Sequence, residues 1–442
     1  RTGRSTDVFV TGVLLGLVFL TKPEPFVATC AAIAAGWVGR IGMRSIGPSR
    51  HAQHALAFAF GIVVPPIIAT ALLATAMPLS QAARGTIGSW AFIGNEGLHQ
   101  LPFYKFIMGT SKPGANLLDM LNWLGRFALA FAPALAAAWG AGAAKCNTWL
   151  WGSGAAIAGA AALWWTRNSF EWDLAARPLP LLMLAATIVA AKQLHAMRAD
   201  TQASHVPHLK LMLATFGGFM LLKIILHAGF SHYGFALTMP ATLVTIAALV
   251  DWIPSWLSRR GRAGWLFRGW SLGVLAVLVI AMQRYNMWNA GETVRVGSGA
   301  DTFIVDRIRG DVVNQLLKVL AESAPPNSSL TVVPEGVMIN YLSRRWAGTR
   351  YFNFLPPELA MFHEDRMVDA LAANPPDLIA LVQPEMPEYG VRAFGEDQGR
   401  RLMEWINSNY RVERVFGDGP RLGHHTFFAV LLQRTSDQGA AP

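Results

Sequence analysis

The stretch Val8-Phe9-Val10-Thr11-Gly12-Val13-Leu14-Leu15-Gly16-Leu17-Val18-Phe19-Leu20-Thr21-Lys22-Pro23-Glu24-Pro25-Phe26, carried on by an apolar run to Val38, decides how this chain is read. Each half, residues 8–20 and 26–38, falls short of the roughly 20 apolar residues that cross a bilayer, and the two together are too long for one straight helix. Two prolines flanking Lys22 and Glu24 favour a helical hairpin over a continuous helix, because proline removes a backbone donor and clashes with the preceding turn.

Working outward, the 442 residues are 53% hydrophobic and only 14% charged, and mean hydropathy is +0.33. Soluble domains run nearer a quarter charged, so an ordinary cytosolic enzyme and a disordered chain are both excluded. The formal charge of +10 is unevenly spread: residues 1–288 hold 22 Lys/Arg against 8 Asp/Glu, and residues 289–442 hold 15 against 19. The positive charge belongs to the apolar part, and no nucleic-acid partner is needed to explain it. Cys30 and Cys146 both lie beside apolar runs, which excludes a disulfide framework.

Residues 55–83 contain no Asp, Glu, Lys or Arg, and residues 127–144 and 146–166 are also uncharged. Further apolar runs cover 178–191, 211–222, 224–250 and 269–283. The run from 224 is too long for one helix, and Gly229, Gly234 and Pro240 offer breaks. The Ala/Gly richness of residues 133–162 suits close helix packing. Basic residues gather in segments 1–4, 40–50, 145, 192–210 and 259–268. Taking 8–38 as a hairpin gives about nine spans in residues 1–288, and every basic loop then shares one face, which the positive-inside rule makes cytoplasmic. Residues 78–118 become an outer loop and residues 289–442 an extracytoplasmic domain.

That domain reads as α/β. Helical patterns cover residues 308–322, 361–373 and 398–408, and strand patterns cover 330–333, 378–382, 410–416 and 426–432. The alternation predicts a small sheet flanked by helices.

Ionisable groups at membrane depth are costly, so they are the first candidates for function. Lys22 and Glu24 sit where two half-helices meet, and exposed backbone groups there favour an anion. The outer loop carries Glu96, Tyr104 and Lys105, with Arg84, Trp90, His99 and Lys112, among aromatics and glycines; it reads as an interfacial lid. Lys223, His227, His232 and Tyr233 form a third group. Lys223 and His227 are four apart, which on a helix puts them on one face, and their chemistry suits a phosphate or pyrophosphate. With no nearby Cys or carboxylate the two histidines make a poor metal site. Pro334-Glu335-Gly336 reads as a strand-to-helix turn and His424-His425 as a solvated pair. No Walker loop, dinucleotide fingerprint, zinc spacing or nucleophile elbow occurs.

The segment Gly16-Leu17-Val18-Phe19-Leu20-Thr21-Lys22-Pro23 resembles the G-L-x-x-L-T-K-[GP] segment of glycosyltransferase family 39, which includes protein O-mannosyltransferases and lipid A aminoarabinose transferases of the GT-C membrane fold. Ser231-His232-Tyr233 with Pro240 is similar to the family's K-x-P-x-Y-x-L-P-x-x-P segment, His232 standing near the usual Lys. The resemblance implies a GT-C-like polytopic membrane protein with a C-terminal extracytoplasmic α/β domain, in a bacterial-type inner membrane. It implies transfer of a sugar from a polyprenyl-phosphate carrier to a lipid, glycan or protein acceptor on the outer face. It also implies that the catalytic acids lie upstream of Arg1, leaving Lys22, Lys223 and His227 to hold the donor phosphate. No cofactor is required by the sequence, and a need for divalent metal stays open. The alternatives are a transporter or flippase of lipid-linked sugars, or a membrane-anchored binding module; the lack of a second broken segment counts against transport.

Overall fold

The computed structural model describes residues 5–41, 48–141, 148–166, 172–197, 205–231, 234–289, 291–383, 385–417 and 427–435. The chain is mostly helical and divides into two compact units, Arg1–Gly94 with Phe106–Met282, and Asn95–Lys105 with Gln283–Pro442. The second unit thus takes a short segment from within the expected outer loop.

The first unit opens with α1 (Ser5–Phe19), α2 (Pro23–Ile41) and α3 (Pro48–Ala74). The helices α4 (Leu79–Ile87), α5 (Glu96–Gln100) and α6 (Pro102–Met108) fall in the segment expected as an outer loop, and α7 (Pro113–Gly140) begins before that segment was expected to end. Next come α8 (Thr148–Thr166), α9 (Leu179–Ala196) and α10 (Val206–Met220). Then α11 (Gly234–Ala247) passes through a π turn at Ala248–Trp252 into α12 (Ile253–Arg259), and α13 (Gly264–Asn289) runs on into the second unit.

Among the described residues five segments are long and apolar enough to cross a membrane: Ala52–Ala74, Pro102–Gly140, Leu174–Ala196, Gly234–Arg259 and Gly264–Arg284. These identify a membrane protein, although about nine spans were expected. The shortfall has physical causes. Helices α1 and α10 have 15 residues each, about 22 Å of rise against a hydrocarbon core of about 30 Å. Helix α2 opens on Pro23-Glu24-Pro25. Helix α8 carries no charge but holds tryptophans at both ends, and Trp149 and Trp165 are 78% and 88% exposed. Their separation of about 24 Å along the helix is that of an aromatic belt at each membrane face.

Close approaches fix the helix directions. Gly12 of α1 abuts Phe58 and Gly61 of α3, and Gly16 abuts Ile62 and Pro65. The two helices therefore run in the same sense, and α2 has to run back between them. Residues 8–38 form a hairpin, not one kinked span. Any side chain at Gly12 or Gly61 would strike the facing backbone. On the far side of α2, Gly36 meets Met212 and Gly39 meets His208, so α10 opposes α2. Helix α13 opposes α7, with Ala263 donating to Ala138 O and Trp270 Nε1 to Ala130 O, both at 3.0 Å. It runs with α8, where Gly152 and Ala156 meet Gly269 and Gly273. The Ala/Gly-rich stretch thus packs closely, as its composition predicts.

The same pairs gather the basic segments. The C-terminus of α2 lies against Leu194 at the end of α9 and His208 at the start of α10. Arg262 donates to Trp139 O near the end of α7, and Lys210 sits 4.7 Å from the Trp252 ring.

The expected break around Gly229 and Gly234 is present and begins earlier than its glycines. Helix α10 ends at Met220, a 3-10 turn covers Leu222–Ile224, and α11 starts at Gly234 with Pro240 inside it.

In the second unit, β1 (Thr293–Val296) and β2 (Phe303–Asp306) form an antiparallel hairpin that the sequence patterns did not suggest. After α14 (Arg307–Ser323), the strands β3 (Leu330–Val333), β4 (Leu378–Val382), β5 (Tyr410–Phe416) and β6 (Ala429–Arg434) build a sheet of order β3-β4-β6-β5. Strands β3 and β4 are parallel, and β6 is antiparallel to both β4 and β5. The crossover holds α15 (Val337–Ser343), α16 (Pro356–Phe362) and α17 (Glu364–Ala373), and α18 (Arg400–Asn409) precedes β5. Alternation along the strands sends Leu330, Val332 and Ala380 to one face with Leu316 and Leu320 of α14. Val333, Ile379 and Val430 turn to the other, against Met367 and Leu371 of α17 and Leu402 of α18. The expected sheet flanked by helices is present.

Candidate functional site

The site starts at the break between α1 and α2. Leu20 and Thr21 donate to Leu17 O and Val18 O, closing α1, and the Thr21 hydroxyl also donates to Val18 O at 2.6 Å. Pro23 lacks an N–H and starts α2 without leaving a donor unmet. Trp90 buttresses the turn: its ring stacks on Phe19 at 5.0 Å and meets Phe26 edge-on at 5.4 Å. Its Nε1 donates to Phe19 O at 3.2 Å, satisfying one carbonyl that the helix end leaves open.

Glu24 in the first turn of α2 accepts a hydrogen bond from Lys223 Nζ at 2.9 Å. The two constellations that the sequence presents 199 positions apart are therefore one site. Both side chains are partly covered, at 36% exposure for Lys223 and 23% for Glu24. Lys22, exposed at the turn, adds its field to Glu24. Two cations and one carboxylate leave a net positive charge, so the site can take an anion.

Beyond Lys223 the arrangement departs from expectation. Lys223 lies in the 3-10 turn, and His227 follows it in the connecting segment, its amide donating to Ile224 O at 2.8 Å. The two do not share a helix face. His227 packs against Phe106, ring centres 4.4 Å apart. Burial, with the positive charge of Arg177 beside it, lowers the His227 pKa to about 4. It is a neutral imidazole near neutral pH, so it can contribute hydrogen bonds but not the cationic charge expected of it.

Arg177 and Asp119 are the residues that sequence reasoning passed over. Arg177 is 3% exposed, its Nη1 lies 3.5 Å from Leu226 O, and its Nε has no hydrogen-bond partner among the described residues. The Asp119 carboxylate on α7 acts electrostatically on both Arg177 and His227. An arginine just before the run 178–191 looks like a loop anchor; burial marks it as something else, and burial is not legible in hydropathy. Gly109, at φ +76°, lets the α6–α7 turn press on Leu226, and Asn116 Nδ2 fixes that turn by donating to Gly109 O at 2.8 Å.

Glu96, Tyr104 and Lys105 belong to the second unit. Glu96 begins α5, whose N-cap Asn95 side chain accepts from Leu98 N at 3.2 Å. Tyr104 packs on Phe103, which meets Tyr389 at 5.1 Å. Lys105 lies on α6 and its amide donates to Leu101 O. His232, Tyr233, His424 and His425 lie outside the described residues. The Pro334-Glu335-Gly336 turn joins β3 to α15, a helix of only seven residues. Among the described residues no group of three or more His, Cys, Asp or Glu is placed to hold a metal ion.

Comparison with protein-family models, with curated proteins and with solved structures gives no match. The likeness to glycosyltransferase family 39 therefore rests on its motif residues and on the order of the parts.

Proposed function

We propose that the chain is a GT-C-type membrane glycosyltransferase, in which the Lys22–Glu24–Lys223 cluster holds the phosphate of a polyprenyl-phosphate sugar donor. The observation that carries the reading is the Lys223–Glu24 ion pair, which joins the T-K-P segment to the turn after α10. When the glycosidic bond breaks, negative charge develops on the departing phosphate, and preorganised ammonium groups stabilise it most in a partly dry site. The carboxylate of Glu24 orients Lys223 before the donor arrives. Such a half-buried pair contributes about 1 kcal/mol, between the surface and interior extremes. Transfer takes place on the outer side of a bacterial-type inner membrane, where a lipid, glycan or protein acceptor receives the sugar. No acid in this chain is assigned the task of deprotonating the acceptor.

The test is binding of polyprenyl phosphate to the chain in nanodiscs. Lys223→Ala and Lys22→Ala should each weaken binding about tenfold, equivalent to about 1.4 kcal/mol, while Lys105→Ala should not. Unchanged affinity in the first two variants would remove the cluster from the donor site.

A further inference from the structure

The second unit exposes its large apolar side chains unevenly. Val337, Met338, Tyr341, Trp346 and Phe352 are 50 to 64% exposed, and all come from α15 and the segment just after it. Val337, Tyr341, Trp346 and Phe352, with Arg344, line one open bowl of about 440 Å³. The hairpin is tied to its rim, because Asp301 accepts from Tyr341 OH at 2.7 Å and pairs with Arg344. That hairpin and the start of α14 expose Ile304 and Ile308 as well. Apolar patches of this kind on a folded unit mark contact surfaces.

The polar groups around the bowl are engaged with one another. Tyr341 and Arg344 both engage Asp301, and Asn340 Nδ2 donates to Leu330 O and Arg345 O. The Arg344 guanidinium lies 4.5 Å from the Tyr341 ring centre. Aromatic planes and aliphatic side chains with an arginine at the rim are what an interfacial lipid layer takes. The position in the chain agrees. The longer part of the second unit starts at Gln283, within the apolar segment that ends at Arg284. From Asn289, where α13 ends, eight residues lead to Gly297 at the hairpin turn, a reach of no more than about 28 Å.

We infer that this face of the second unit, centred on Tyr341, Trp346 and Phe352, rests in the headgroup–acyl boundary of the bilayer that α13 leaves. The occupant is lipid, and the unit is anchored at the membrane surface as well as by its helix. This inference depends on the chain being a membrane protein and not on glycosyl transfer.

The test uses the whole chain, with Cys30→Ala and Cys146→Ala, in vesicles of equimolar phosphatidylethanolamine and phosphatidylglycerol. Spin labels are placed at Trp346→Cys and Met338→Cys, with Val412→Cys on β5 as the aqueous reference. Collision with oxygen relative to a water-soluble nickel chelate should be several-fold higher at 346 and 338 than at 412. Equal ratios at all three positions would overturn the inference, since the face would then be in water. Shielding of 346 and 338 from both relaxants would overturn it too, because protein would then cover the face. The two labelled sites are independent, so misfolding of one variant leaves the other to decide.

Discussion

Lys223 and Glu24 show what a single contact adds to a sequence. Each was legible alone as a charged residue inside an apolar run, but their pairing was not, because the partners are separated by most of the first unit. Arg177 was illegible for the opposite reason: its burial comes from helices far away in the chain. Glu358 in the second unit supplies a prediction at this scale. Its carboxyl pKa is raised by burial, and the charge of Glu335 adds to the effect while a hydrogen bond with Asn353 opposes it; its Oε2 has no hydrogen-bond partner among the described residues. A raised acid pKa favours the folded state below the ordinary value of 4.5, and that advantage is lost as pH rises through the folded value. Glu358→Gln should therefore slow hydrogen exchange of β3 and β4 at pH 7, with the difference closing below about pH 4.5. A variant that exchanges faster at pH 7 would show instead that ionised Glu358 is held by a partner.

Elements with strong periodicity were readable almost to the residue. Strands β3 and β4 lie where their apolar runs placed them, because both faces of the sheet are covered there and the runs have no competing pattern; β5 also lies at its expected place, although its middle residues are exposed. The helix expected over 361–373 is instead two, α16 and α17, parted at His363 with φ +66°, a conformation that apolar spacing cannot signal. The hairpin β1–β2 was missed because its four-residue strands carry Arg295 and Asp306 and alternate weakly. The hairpin of α1 and α2 was legible from its prolines, but the contact that fixes its direction was not. That contact depends on glycine. Gly61→Leu should open the α1–α3 seam, costing about 1–3 kcal/mol by overpacking, seen as faster proteolysis near residues 20–22 in detergent. An unchanged cleavage pattern would mean that the seam does not hold the hairpin.

At the scale of the molecule, charge asymmetry is the observation that bears on orientation, with 22 Lys/Arg against 8 Asp/Glu in residues 1–288. The orientation expected from the sequence puts the basic segments 1–4, 40–50, 145, 192–210 and 259–268 on the cytoplasmic face by the positive-inside rule. It follows that a cysteine at Asn327, exposed in the second unit, and one at Ser258, exposed at the end of α12, should label from opposite sides of sealed vesicles. An impermeant reagent added outside right-side-out vesicles should reach Asn327→Cys and leave Ser258→Cys unlabelled. Labelling of both, or the reverse pattern, would refute the orientation.

The placement of Asn95–Lys105 in the second unit also bears on how the protein is made. Phe103 leaves the ribosome long before Tyr389, against which it packs, and Gly97 long before Ala360. At roughly 5–20 residues per second the interval is on the order of tens of seconds. For that time a short aromatic segment waits for a partner not yet synthesised, within reach of proteases and chaperones. Completion of the second unit thus depends on joining two segments of chain made far apart in time.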